Sequence, residues 1–154
     1  MQNNRNGAAV TDIRYSLAAT KTVTFDGGTV NAIGDHDGTS DPLTLFTVTG
    51  PVLIEVTGFV DTTLVGAATI EVGITGATTA LLAQVANATS LQIGEIWHDA
   101  TPDASVEDAT VMVQRIVNNK NIIMTVGTAN ITAGVITFVA NWYPLTENSK
   151  VVAA

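Results

Sequence analysis

Between residues 43 and 143 the chain alternates apolar and polar side chains in run after run, and no other feature constrains its fold as strongly. In residues 51–60 (PVLIEVTGFV), Val52, Ile54, Val56 and Val60 fall in one phase and Glu55 and Thr57 in the other. In residues 68–75 (ATIEVGIT), Ala68, Ile70, Val72 and Ile74 oppose Thr69, Glu71, Gly73 and Thr75. A period of two puts successive side chains on opposite sides of an extended backbone, so each run reads as a strand with one buried face. Eight main strands are predicted, over 43–49, 52–60, 68–75, 80–85, 91–97, 109–117, 121–126 and 135–143. Turn residues separate them: Gly50-Pro51, Gly66, Gly76, Asn87, Asn118-Asn119, Gly127 and Gly134. Short strands at this spacing predict an all-β fold, an antiparallel jelly-roll-like β-sandwich.

Upstream, residues 21–25 (KTVTF) read as a further short strand, stopped by Asp26-Gly27-Gly28. Residues 34–42 (GDHDGTSDP) are a loop by composition. Residues 1–20 read as an extended N-terminal arm with Val10, Ile13, Tyr15 and Leu17 as sparse apolar anchors, leaving 21–154 as the sandwich domain. The segment 81–85 (LLAQV) has helix formers but is too short for a helix and is assigned to a strand. Pro102 followed by acidic residues through Asp108 suits one helical turn.

The 154 residues fit one domain. Hydrophobic residues make up 46% but aromatics only 5%, so the core consists of small branched side chains that each bury modest area. Contacts between subunits would add buried surface, and self-association is expected. Charged residues are scarce at 13%, against the usual quarter, and the net charge is −8. That balance argues against nucleic acid or an anionic membrane as partner, since both need clustered Lys and Arg. No apolar run approaches the roughly 18 residues of a membrane span, and the N-terminus lacks an apolar signal core. Assembly in a cytoplasm is the expectation.

Four constellations invite a chemical reading. Asp35-His36-Asp37-Gly38, followed by Asp41, has the ingredients of a calcium loop but lacks the later ligands and closing Glu of that pattern. Trp97-His98-Asp99 sets a histidine beside an aspartate, yet neighbours on a strand point to opposite faces, and no G-x-S-x-G accompanies them. With no cysteine, a thiol nucleophile is excluded. Glu95, Asp99, Asp103, Glu107 and Asp108 form an acidic series in polar, loop-like sequence, where solvated carboxylates belong. Finally, in the strand ending Asn141-Trp142-Tyr143-Pro144, Ile136, Phe138, Ala140 and Trp142 share one face, and Val135, Val139 and Tyr143 the other. A strand apolar on both sides is either central in the sandwich or covered by another subunit. The residues thus point to no enzyme, no cofactor and no metal, and to Val10, Ile13, Tyr15, Leu17, Val135, Val139 and Tyr143 as contacts with other subunits.

The phrases Leu45-Phe46-Thr47-Val48-Thr49-Gly50, Pro51-Val52-Leu53-Ile54, Glu95-Ile96-Trp97-His98-Asp99-Ala100 and Gly134-Val135-Ile136-Thr137-Phe138 resemble small virion structural proteins of tailed bacteriophages. The resemblance covers roughly residues 40–145. It implies a head decoration (cement) protein, a homotrimer on the outer capsid surface whose partner is the major capsid protein and which transfers no active-site residues. The arm fits a segment that reaches the shell. Two other classes share the fold: a tail- or fibre-associated module binding a glycan or receptor, which predicts an exposed Trp97 or Trp142, and a carbohydrate-active enzyme, which would depend on Glu95 or Asp99.

Overall fold

In the computed structural model, the structure describes residues 16–104, 106–108 and 112–154. These form β1 (Leu17–Thr24), β2 (Leu43–Thr49), β3 (Pro51–Val65), β4 (Thr69–Ile74), β5 (Ala77–Val85), β6 (Glu95–Trp97), β7 (Asp103–Ala104), β8 (Arg115–Asn118), β9 (Ile122–Gly127), β10 (Ala133–Pro144) and β11 (Lys150–Ala153). One sheet runs β1-β10-β3-β6-β7, with β8 also on β3, and the other runs β11-β2-β9-β4-β5. Every pairing is antiparallel. The pairs are nested: β1 with β10, β2 with β9, β3 with β8, and β4 with β5. A long hairpin rolled so that alternate pairs fall in opposite sheets is a jelly roll, and the expected sandwich is the observed fold.

The predicted phases decide which side chains fill the space between the sheets. Val52, Ile54, Val56 and Val60 of β3 point inward, as do Ile136, Phe138, Ala140 and Trp142 of β10. Ile70 and Val72 of β4 and Ile122, Met124 and Val126 of β9 meet them from the second sheet. Trp97 is fully buried and packs edge-on against Phe138 with ring centroids 6.0 Å apart. Such a pair contributes about 0.5–1.5 kcal/mol beyond its buried area. Its indole N–H donates to the Ala83 carbonyl of β5 at 3.3 Å, tying the two sheets together. Gly58, the cross-strand partner of Trp97, falls in the apolar phase because the indole needs the room: a Cβ there would lie 3.4 Å from the Trp97 ring and 3.3 Å from Phe138 and Ile136.

Several boundaries differ from expectation. β1 begins at Leu17, inside the predicted arm, because the long β10 offers partners all the way from Val135 to Trp142. The predicted strand 91–97 keeps only Glu95–Trp97. Leu91 is buried, but it ends a 3-10 turn (Ala88–Ser90) capped by the Asn87 side chain, which accepts from Thr89 N at 3.1 Å. Of the predicted strand 109–117, residues 109–111 lie outside the described residues, and pairing begins only at Arg115. The helical turn expected after Pro102 is instead β7, hydrogen-bonded to β6. β11 was not predicted. The Ser149 hydroxyl donates to the Pro51 carbonyl at 2.7 Å and turns the chain back, so that Val151 reaches the core beside Val48.

Candidate functional site

The outer face of the first sheet carries the predicted contact residues of the last long strand. Val135, Thr137, Val139, Asn141 and Tyr143 of β10 all point outward and are half-buried by their strand neighbours. Opposite them on β1 stand Thr24, Thr22, Thr20 and Ala18, all exposed. On the other flank, Thr137 pairs with Phe59, Val139 with Thr57, Asn141 with Glu55 and Tyr143 with Leu53 of β3, and Leu53 in turn with Ile116 of β8. Phe59 and Ile116 are 41% and 69% exposed. Apolar side chains therefore continue across three strands.

Polar groups on this face are joined to one another. Thr137 Oγ1 donates to Asp61 Oδ2 at 2.6 Å, which leaves its oxygen to accept from Thr22 Oγ1 at 2.9 Å. Gln114 Nε2 donates to Glu55 Oε2 at 3.3 Å. The two acids of β3 are thus engaged within the sheet. On β1 and β10 the one charged residue is Lys21, which lies in the inward-facing row and donates from Nζ to the Ala154 carbonyl. The outward rows of these two strands carry no charge. Leu17, 43% exposed, belongs to the inward row, opposite Trp142, and so sits apart from Val139 and Tyr143. Val10, Ile13 and Tyr15 lie outside the described residues.

Carboxylates gather elsewhere. Asp26, Asp35, Asp37 and Asp41 occupy the loop between β1 and β2, and Asp99, Glu107 and Asp108 the stretch after β6. In the first group, Asp35 is buried and its Oδ2 accepts from Asn31 N at 2.8 Å, a bond that holds its carboxyl below the usual range. Asn130 Oδ1 accepts from His36 N at 3.1 Å and meets His36 Nδ1 at 2.5 Å, while its amide donates to the Gly27 carbonyl at 2.7 Å. One donor atom each from Asp35, His36 and Asp37 lies within 4.8 Å of the others, a possible three-ligand group for a cation. Asp35 and His36 already serve Asn31 and Asn130, so the group as it stands pins this loop to the 128–132 turn. Asp41 does not join that group: its Oδ1 accepts from Val126 N at 2.8 Å, and burial pushes its carboxyl up.

The Trp97-His98-Asp99 reading needs a correction in geometry. The backbone bends after β6, and Asp99 Oδ2 comes within 3.6 Å of His98 Nε2, which a straight strand would forbid. Glu107 Oε2 is nearer, 2.7 Å from Nδ1. His98 is 3% exposed, and neither ring nitrogen has a hydrogen-bond partner of good alignment. Neither nitrogen is aligned to activate a hydroxyl among the described residues, and the close approach of Glu107 to the buried His98 ring holds the segment after β6. Asp99 itself caps a turn, accepting from Thr101 N at 2.6 Å. Trp97 and Trp142 are both in the core and offer no face to a sugar ring.

Sequence reasoning missed Leu53, Phe59 and Ile116. The signal was present for two of them: Leu53 and Phe59 are apolar residues in the polar phase of the β3 alternation. The chain was compared with protein-family models, with curated proteins and with solved structures, and it has no match among any of them.

Proposed function

We propose that this chain is a non-enzymatic structural protein of a phage particle, one that decorates the outer capsid surface and stabilises it through subunit–subunit contacts. The observation that carries this reading is the charge-free outward face of β1 and β10, flanked by exposed Phe59 and Ile116. Contiguous apolar and hydroxyl surface without charge can be buried against protein without stranding an ion. The polar clusters, by contrast, are consumed in holding loops, which is what a scaffold requires and a catalyst does not. The partners are capsid subunits and further copies of this chain. Net charge of −8 suits the outside of a shell, away from nucleic acid. The test is sedimentation of purified chain with empty phage capsids and with filled ones. Saturable binding that raises the melting temperature of the shell is the expected result; failure to bind any capsid, or binding instead to glycans on an array, would overturn it.

A further inference from the structure

We infer that the outward strip of β1 and β10 is where a second copy of this chain docks. The inference rests on the functional reading above only in that both require subunit contacts, and it names the occupant of this face. Three observations favour another copy over a partner of different charge.

First is the distribution of charge. Two molecules of −8 repel wherever their acids face each other; most of the acids gather in the 26–41 loop and the 95–108 segment, and the two on the outward side of β3, Glu55 and Asp61, are hydrogen-bonded to Gln114 and Thr137. The rows built on Thr20, Thr22, Val135, Val139 and Tyr143 contain none. A basic partner would gain most at the acidic loops, whereas a like-charged one gains most on this strip.

Area comes second. β10 has 12 residues, which at ~3.3 Å each spans about 40 Å. The strip alone is smaller than a stable interface, but with the adjoining β3 and β8, whose Leu53, Phe59 and Ile116 continue it, four strands ~4.8 Å apart give the face a flat footprint of about 550 Å², which side-chain relief raises toward the ~800 Å² per partner of a stable interface. The sheet is large enough.

Third is the edge. Among the described residues β1, eight residues long, is the outermost strand of its sheet, and no described strand pairs with its outer edge. The outward row of this edge strand, Ala18, Thr20, Thr22 and Thr24, carries no charge, and its one inward charge, Lys21, is engaged by the Ala154 carbonyl of the same chain.

The experiment is analytical ultracentrifugation of the full chain across a concentration series, with variants. The wild type should sediment as one discrete closed oligomer. Val139→Glu and Thr20→Lys should each weaken association by about 100-fold, because each buries an unpaired charge at the contact. Thr20 is exposed on an edge strand, so T20K keeps the test valid even if V139E disturbs folding. Val139→Thr, which keeps the branched shape, should stay associated, as should Ile93→Glu in the turn before β6. A wild type that remains monomeric at high concentration, or a T20K variant that stays oligomeric, overturns the inference. Capsid binding by a monomeric chain would sink the self-docking inference and leave the functional reading standing; a stable oligomer that ignores capsids would do the reverse.

Discussion

The strip on β1 and β10 and the loop around Asp35 are opposites in composition and in what they leave undone. The loop is rich in groups that do chemistry: two acids and a histidine with donor atoms within 4.8 Å. Yet its polar atoms are spent on backbone: Asp35 on Asn31, Asn130 on His36 and Gly27, and the Ser40 hydroxyl on the Asn31 carbonyl at 2.6 Å. The strip is bland, all Ala, Thr, Val, Asn and Tyr, but its β1 side chains are exposed and its β10 side chains only half-buried among the described residues. Reactive residue types mark where this chain holds itself together, and inert ones mark where it has surface to offer.

The sharpest way to break that contrast is to remove the hub of the loop. Asn130→Ala strands the Gly27 carbonyl and the His36 amide together, and buried groups left unpaired cost about 1–3 kcal/mol each. A loss of about 2–4 kcal/mol in a urea titration is therefore expected. Val139→Thr on the strip should change the stability of the isolated chain by about 1 kcal/mol or less, being an outward, half-buried position. Similar losses from both would erase the distinction.

Acidification probes the loop without cavities. The Asp35 carboxyl sits below its ordinary value because Asn31 N–H favours the charged form. Its contribution is thus present above the carboxyl pKa of the unfolded chain and is lost as pH falls through the lowered folded value. Asp35→Asn should be less stable than wild type at neutral pH, with the gap closing in acid; a gap constant with pH would show that the charge is irrelevant.

A smaller effect, of opposite sign, is expected at Asp41. Burial raises its carboxyl, so its contribution to stability is present below the unfolded pKa and is lost as pH rises through the folded one. Asp41→Asn keeps an oxygen for Val126 N and removes the buried charge. The variant should equal or exceed wild type in melting temperature at neutral pH, with the advantage fading as the pH drops. A destabilised variant at neutral pH would mean that the ionised carboxylate is needed for the bond to Val126.

Much of this was legible in the alternation itself. The period of two assigned Leu43–Thr49 to its residues and placed Ile136, Phe138, Ala140 and Trp142 inward, because burial on one face leaves a local trace in the chain. Val135, Val139 and Tyr143 stood out for the same reason, as apolar residues in the opposite phase. What escaped was everything that depends on pairing between distant segments. Residues 91–94 alternate as a strand does, but Asn87 caps a turn there and Gly94 takes φ +90, so the chain bends. Lys150–Ala153 is too short to show a period, and only its pairing with β2 makes it a strand. The Thr22–Thr137–Asp61 chain joins three strands, and the bend that brings Asp99 and Glu107 to His98 has no local signature.

Whether the strip is covered when copies meet decides the role of this face, and amide hydrogen exchange read strand by strand measures that directly. Comparing dilute with concentrated chain, the outer amides of β1 should become protected as concentration rises, while those of the loop around Asp35 stay unchanged. Exchange in β1 that is independent of concentration would contradict the claim that this face belongs to another subunit.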